Sequence, residues 1–192
     1  MADTWEQLTN DCSGCTRCPL GETRRNLVFG TGNKNARIML VGEGPGEQED
    51  LQGIPFVGPA GKLLDDMLEM IDLDRTLVYI ANIVKCRPPR NRDPQPDEKR
   101  ACIPWLRRQI ALVDPAIIVC LGRIAASELI RENFRITREH GLWYTVDGRL
   151  TTAIYHPSAL LRDVSKRPET FADLRAIRQQ IRAVCPEVYD HV

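Results

Sequence analysis

Four short apolar runs rich in β-branched residues are separated by longer amphipathic stretches, and this alternation limits the possible folds more than any other feature. The runs cover residues 37–41, 77–84, 116–121 and 150–155. Helical periodicity marks residues 61–71, 97–113, 124–133 and 168–184. Strands that alternate with helices form a parallel sheet with helices on both faces. The sequence therefore predicts a three-layer α/β/α fold around a central four-stranded, mainly parallel sheet.

The length and composition are those of a single globular domain. The chain has 192 residues, of which 43% are hydrophobic and 27% are charged, close to the averages of roughly 45–50% and 25% for globular proteins. We expect one domain over residues 1–192, and a monomer. No apolar stretch approaches the ~18 residues of a membrane span, and the first 25 residues lack the apolar core of a signal peptide. These features predict a cytoplasmic protein that does not contact membranes.

The charge is balanced overall but segregated along the chain. Lys and Arg together number 26, as do Asp and Glu, so the net charge gives no case for a polyanionic partner. Residues 85–108 nevertheless carry eight Lys and Arg against three acids, whereas residues 43–74 carry nine acids against Lys62 alone. The basic segment predicts a local nucleic-acid surface. An ordinary solvated surface is the alternative.

The cysteines indicate a metal site rather than disulfides. Their number, seven, is odd, and thiols stay reduced in the cytosol. Cys12, Cys15 and Cys18 form a C-x2-C-x2-C run, and Cys86 and Cys102 enclose 15 residues further on. Two close and two distant thiolates can complete a four-ligand site for zinc or for an iron–sulfur cluster, and the wide second pair favours the cluster. Cys12 is then a spare or competing thiolate.

Ligands of parallel α/β sheets bind outside the carboxyl ends of the strands, so the segments that follow the predicted strands form the candidate site. The first strand is followed by the sequence GEGPG. Its spacing differs from the G-x-G-x-x-G of dinucleotide loops, and Pro45 has no backbone N–H to offer a phosphate. The loop supplies a tight turn with one carboxylate, Glu43, at the strand end. A solvated acidic turn is the alternative.

Phe56 and Asn82 are two further candidates. Phe56 lies in the Gly- and Pro-rich segment 53–61. This segment could fix the ring for stacking on a planar ligand, or the ring could pack in the hydrophobic core. Asn82 lies in an apolar strand, where its amide needs hydrogen-bond partners from the backbone or from a ligand.

His156 is the best placed of the histidines, because it ends the fourth strand where the chain turns outward at a proline. Leu160, Leu161 and Arg162 follow it. Such a group could insert into a base stack and contact a phosphate, or it could simply begin a helix.

Five motifs, in this order, resemble those of the family 4 uracil-DNA glycosylases, the iron–sulfur type of bacteria and archaea. They are Cys15-x2-Cys18-Pro-Leu, GEGPGEQED, GIPFVGPAG, ANIVKCRPPRNRDP with its downstream cysteine, and HPSALLR. The resemblance extends from about Cys15 to Arg162. It implies an α/β/α fold and a 4Fe–4S cluster held by Cys15, Cys18, Cys86 and Cys102.

The resemblance also implies a reaction. Uracil would be flipped out of DNA and its N-glycosidic bond hydrolysed, which leaves an abasic site. Phe56 would stack on the ring, and Asn82 would hydrogen-bond its O4/N3 edge. His156 would donate a hydrogen bond to O2 of the departing uracil, helped by backbone N–H groups of the Gly44–Gly46 turn, and Glu43 would position water.

The implied DNA contacts fall into two groups. Ser158, Leu160, Leu161 and Arg162 would lie beside the flipped base, and Lys85, Arg87, Arg90 and Arg92 would contact phosphates. The polar Glu43 argues against the family 5 branch. The alternatives from other classes are a non-catalytic iron–sulfur DNA-binding or polymerase-accessory domain and a cluster-based electron carrier. Binding alone would need none of Glu43, Asn82 and His156, so their co-occurrence favours the enzyme.

Overall fold

The computed structural model describes residues 4–190, and within them the strands form a mixed six-stranded sheet. The strands are β1 (Thr31–Gly32), β2 (Ile38–Gly42), β3 (Val78–Asn82), β4 (Ile117–Leu121), β5 (Trp143–Val146) and β6 (Arg149–Ile154). Their order across the sheet is β1-β3-β2-β4-β6-β5. The four central strands are parallel to one another, whereas β1 and β5 pair antiparallel at the two edges.

The four predicted strands are confirmed as the parallel centre of the sheet, and the two edge strands were missed. Every residue of β2, β3 and β4 is buried, which produces the continuous apolar runs of strands covered on both faces. β1 has two residues and β5 is only partly buried. Neither edge strand therefore leaves a distinct run in the sequence.

The helices lie on both faces of the sheet. They are α1 (Trp5–Ser13), α2 (Leu20–Thr23), α3 (Glu47–Gln52), α4 (Pro59–Glu69), α5 (Pro96–Val113), α6 (Arg123–Leu129), α7 (Ile136–Glu139), α8 (Pro157–Arg162) and α9 (Arg167–Val184), with short 3-10 turns at Pro89–Asn91, Val164–Lys166 and Pro186–Tyr189. The predicted long helices correspond to α4, α5, α6 and α9. Along residues 4–190 no helix has the length and apolarity needed to cross a membrane.

Side chains of the central strands alternate between two cores. In β2, Met39 and Val41 pack in the core that also contains residues of α1, α5 and α6. Ile38 and Leu40 pack in the opposite core, with residues of α4, α8 and α9. This period of two is that of a strand covered on both faces, and it confirms the three-layer arrangement.

The register brings the candidate residues to one edge of the sheet. Gly42, at the end of β2, is the pairing partner of Asn82 at the end of β3, so Glu43 follows directly beside Asn82. His156 comes two residues after β6, which is separated from β2 by β4. β4 is followed by Gly122 at φ 93°, where an added Cβ would lie 2.9 Å from Cβ of His156. A glycine at this position therefore leaves room for the imidazole.

Candidate active site

A cavity of about 520 Å³ opens at the carboxyl ends of the parallel strands. Its lining includes the predicted catalytic and base-binding side chains, namely Glu43, Phe56, Asn82 and His156. Gly44, Gly46, Arg92, Ser158 and Arg162 line it as well. The residues predicted from separate sequence motifs thus share one cavity.

Phe56 is both buried and part of the cavity wall. It is 5% exposed, and its ring centroid lies 5.6 Å from that of His156 at an interplanar angle of 30°. The ring packs against the backbone of Gly42, where an added Cβ would approach Phe56 Cζ to 2.6 Å. Only a glycine lets the ring lie this close to the end of β2.

Asn82 carries an unpartnered polar atom. The side chain is 1% exposed, and its Oδ1 is buried without a hydrogen-bond partner among the described residues. An unsatisfied buried acceptor costs about 1–3 kcal/mol, so such a group calls for a ligand or a water. Of the two sequence interpretations, the structure favours the ligand over backbone satisfaction.

His156 is the N-cap residue of α8, and this position determines its tautomer. The backbone N–H of Ser158 donates to His156 Nδ1 at 3.1 Å, and Ser158 Oγ lies 2.8 Å from the same nitrogen. Because Nδ1 accepts, the proton of the neutral ring is on Nε2. Burial, together with the positive charge of Arg162, lowers the pKa of His156 to about 4. The imidazole is therefore a neutral hydrogen-bond donor near pH 7.

Glu43 is a partly buried carboxyl in the wall of the same cavity. Burial, and secondarily the negative charge of Asp93, raises the pKa of Glu43 to about 7. Arg123 and Arg162 act in the opposite direction by favouring the carboxylate. A carboxyl with a pKa near 7 can accept a proton at physiological pH, which is what general-base chemistry requires.

Glu49 orders the backbone around the cavity, and the sequence interpretation missed it. Its carboxylate accepts the N–H groups of Gly46 at 3.0 Å, Val57 at 2.9 Å and Gly58 at 2.8 Å. The sequence feature that could have identified it is its position three residues after Gly46, the glycine that precedes α3. A carboxylate at this position usually caps the helix N-terminus. The Gly46 N–H thus already donates to Glu49, and its help in binding uracil O2 stays a prediction. The Gly44 amide remains a candidate for that role.

Two predicted DNA contacts are wrong. Lys85 is 1% exposed, and its Nζ donates to the carbonyl of Asn82 at 2.9 Å and to Gln109 Oε1 at 2.5 Å. A buried ammonium cannot reach a phosphate. Leu160 is 2% exposed and packs in the core under α8, whereas Leu161 on the other face of that helix is 43% exposed.

Of the remaining predicted cations, Arg92 and Arg162 line the cavity, whereas Arg87 and Arg90 do not. Arg90 is exposed, and Arg162 is exposed at the cavity. Arg87 donates from Nε to Asn91 Oδ1 at 2.7 Å. Arg92 makes a bidentate pair with the buried Glu98 at 2.6 and 2.8 Å. The pair neutralises part of the charge that Arg92 would offer to a phosphate.

The cysteines of the predicted cluster line a second cavity. It is bounded by Cys15, Cys18, Cys86 and Cys102, together with Cys12. Residues 4–190 contain no group of three or more His, Cys, Asp or Glu side chains placed to hold a single metal ion. The cavity nevertheless lies between the N-terminal segment, the segment after β3 and α5, the parts of the chain that the cysteine spacing predicted to meet.

Hydrogen-bond donors point at three of these four sulfurs. Arg24 Nη1 lies 3.2 Å from Cys86 Sγ, Trp105 Nε1 lies 3.4 Å from Cys15 Sγ, and the Lys85 N–H lies 3.3 Å from Cys102 Sγ. Burial raises the pKa of the Cys102 thiol to about 11 and raises that of Cys86. Metal coordination deprotonates such thiols, and N–H donors stabilise the thiolates. The donor set fits an iron–sulfur cluster.

Comparison with known proteins agrees with this geometry. The model of the uracil DNA glycosylase superfamily matches residues 29–182. The chain belongs to this superfamily. It is 41% identical over 198 residues to the Type-4 uracil-DNA glycosylase of Archaeoglobus fulgidus, with 99% of this chain and 100% of the relative covered. It is 46% identical over 155 residues to the Type-4 enzyme of Thermotoga maritima, with 79% and 80% covered.

A Type-5 uracil-DNA glycosylase of Thermus thermophilus is 34% identical over 152 residues, with 68% of each chain covered. The predicted membership of family 4 is therefore confirmed, and the lower identity to the Type-5 relative agrees with the argument made from Glu43.

Proposed function

We propose that the chain excises uracil from DNA by hydrolysing the N-glycosidic bond of a flipped-out deoxyuridine, which leaves an abasic site. The observation that carries the proposal is the buried, unpartnered Oδ1 of Asn82 in the same cavity as Glu43, Phe56 and His156. The Type-4 and Type-5 relatives are named for the same activity.

Asn82 would select the base. Its Oδ1 can accept the N3–H of uracil while its amide N–H donates to O4. Cytosine has an acceptor at N3 and an amino group in place of O4. The Asn82 Oδ1 would then face another acceptor, and its amide N–H would face another donor. Sites built around such a hydrogen bond reject the mismatched analogue strongly, because the buried polar groups are left unpaired.

His156 would stabilise the leaving group. Cleavage of the glycosidic bond leaves negative charge on uracil, and the neutral ring offers an N–H at Nε2 because Nδ1 is held by Ser158. A fixed donor aimed at developing charge contributes typically about 10²–10³ in rate. A neutral donor also avoids burying a full positive charge in the cavity, in agreement with the lowered pKa of this histidine.

Glu43 would act on the sugar side of the bond. Its carboxylate can orient the attacking water, accept a proton from it and stabilise the positive charge that develops on the deoxyribose. The pKa of about 7 makes the carboxylate basic enough to accept that proton.

The DNA would bind across the mouth of the cavity. Arg87, Arg90, Arg92 and Arg162 are the cations of this surface, and the exposed Leu161 would fill the gap left by the flipped nucleotide. Besides contacting DNA, Ser158 would orient His156, since its N–H and hydroxyl contact that imidazole.

Cys15, Cys18, Cys86 and Cys102 would hold the cofactor, a 4Fe–4S cluster. Bound by these four thiolates, such a cluster would link the N-terminal segment to α5 and to the segment after β3, which also carries Arg87 and Arg90. The intact thiols that such a cluster needs favour a reducing compartment such as the cytoplasm. The chain is proposed to act as a monomer.

The test is an excision assay on single- and double-stranded oligonucleotides that contain one uracil. The wild type should release uracil, and Asn82→Ala should do so at least about tenfold more slowly, because the base loses its hydrogen-bond partner. Asn35→Ala, an exposed loop substitution, is the matched control and should behave as the wild type. Tight binding of uracil-containing DNA with no base released would instead indicate a non-catalytic binding domain.

A further inference from the structure

Phe56 adopts a backbone conformation that bulky residues rarely hold. Its φ is 55°, in the left-handed region, which is uncommon for side chains other than Gly, Asn and Asp and is stable only where the surroundings enforce it. The conformation turns the loop sharply between α3 and α4 and presents the ring to the cavity. Something outside the ring must therefore hold the Phe56 backbone.

Arg75, in the segment between α4 and β3, holds this loop through its carbonyl groups. Its Nη1 donates to the Pro55 carbonyl at 3.0 Å, and its Nη2 donates to the Phe56 carbonyl. The same Nη2 lies 3.5 Å from the Gly61 carbonyl, and Nε donates to Asp65 at 2.6 Å. The guanidinium thus bridges both sides of the turn at Phe56 from the side away from the cavity.

The loop has little room to take another shape around this contact. A Cβ added to Gly61 would lie 1.8 Å from the Phe56 carbonyl oxygen, so the start of α4 is packed directly against the Phe56 backbone. On the other side, Glu49 binds the next two N–H groups, those of Val57 and Gly58. Phe56 therefore has its carbonyl held by Arg75 and the following amides held by Glu49.

We propose that Arg75 is a positioning residue for uracil recognition, which it serves by fixing Phe56 in the conformation that stacks on the base. The inference rests on the stacking role proposed for Phe56 above. Arg75 does not line the cavity, so it would affect the base only through the loop that carries Phe56. Its planar fork makes several directed hydrogen bonds at once, which a lysine ammonium on a flexible stem does not reproduce.

The test measures KM and kcat on uracil-containing DNA, and inhibition by free uracil, for Arg75→Met, Phe56→Ala and the double variant. Stacking binds the base before and during bond cleavage, so its loss should raise KM and leave kcat nearly unchanged. We expect each single variant to raise KM and the inhibition constant of uracil by about tenfold, the usual scale of one aromatic stack. The double variant should be no worse than Phe56→Ala, because Arg75 acts through that ring.

Two further variants make the result specific. Arg178→Met removes a comparable half-buried arginine that pairs with Asp72, away from the cavity, and should leave KM unchanged. Arg75→Lys keeps the positive charge beside Asp65 but lacks the planar guanidinium, so its KM should rise as in Arg75→Met. If Arg75→Met does not fold, Arg75→Lys takes its place in the comparison.

Two results would overturn the proposal: full activity in Arg75→Lys, or losses that multiply in the double variant. A Phe56→Ala variant with unchanged uracil binding would instead remove the stacking role itself, and the inference with it.

Discussion

Uracil excision should fall about a hundredfold between pH 8 and pH 5, because only the ionised form of Glu43 can activate water. Burial raises the pKa of Glu43 to about 7. With that value about 90% of the side chain is ionised at pH 8 and about 1% at pH 5. Burial lowers the pKa of His156 to about 4, so this ring stays neutral across the whole interval. The rate should therefore rise tenfold per pH unit below pH 7 and level off above it.

The assay is single-turnover excision from a uracil-containing oligonucleotide in buffers from pH 5 to pH 9. Glu43→Gln should be slower than the wild type by about 10²–10³ on the plateau and should lose the acid limb. Glu69→Gln, at an exposed position at the end of α4, controls for the removal of a carboxylate and should keep the wild-type profile. A wild-type rate that is constant from pH 5 to pH 8, or an acid limb that persists in Glu43→Gln, would refute the assignment.

Four other predictions address the remaining parts of the site. His156→Ala should lower kcat by about 10²–10³, because the departing uracil loses its hydrogen-bond donor; a near-normal kcat would reassign that role. Asn82→Asp should weaken discrimination against cytosine by at least about tenfold, as measured by the ratio of kcat/KM for the two bases. Cys86→Ser should abolish the visible absorbance of the purified protein and lower its Tm, whereas a colourless wild type that contains zinc would correct the identity of the metal. Arg90→Gln should reduce the slope of log affinity for DNA against log salt by about one, while Lys85→Gln should leave that slope unchanged because the ammonium is buried.

The sequence predicted the centre of the fold because that centre is buried on both faces. β2, β3 and β4 are fully buried, so their residues are apolar without interruption and stand out from the amphipathic helices. β1 and β5 form the edges of the sheet, and they consist of only two and four residues with mixed exposure. Edge strands of this kind are specified by the neighbour they pair with rather than by their own composition.

The sequence predicted that the site residues lie at the ends of strands, but it could not predict the direction in which each side chain points. The order of the strands makes Glu43, Asn82 and His156 converge, and the motifs located all three. A motif does not say which way a residue points, and so Lys85 and Leu160 were assigned to a surface from which they turn away. The Lys85 ammonium is held inside by the Asn82 carbonyl, three residues earlier, and by Gln109 of α5. The contact with Gln109 joins distant segments, so no local pattern predicts it.

The most direct test of the central claim is a crystal structure of the protein soaked with free uracil. The base should lie in the cavity of about 520 Å³, with its ring against Phe56, its N3–H on Oδ1 of Asn82 and its O2 within hydrogen-bond distance of Nε2 of His156. Uracil bound at another place, or a cavity that remains empty at saturating uracil in crystals of protein that excises uracil in solution, would contradict it.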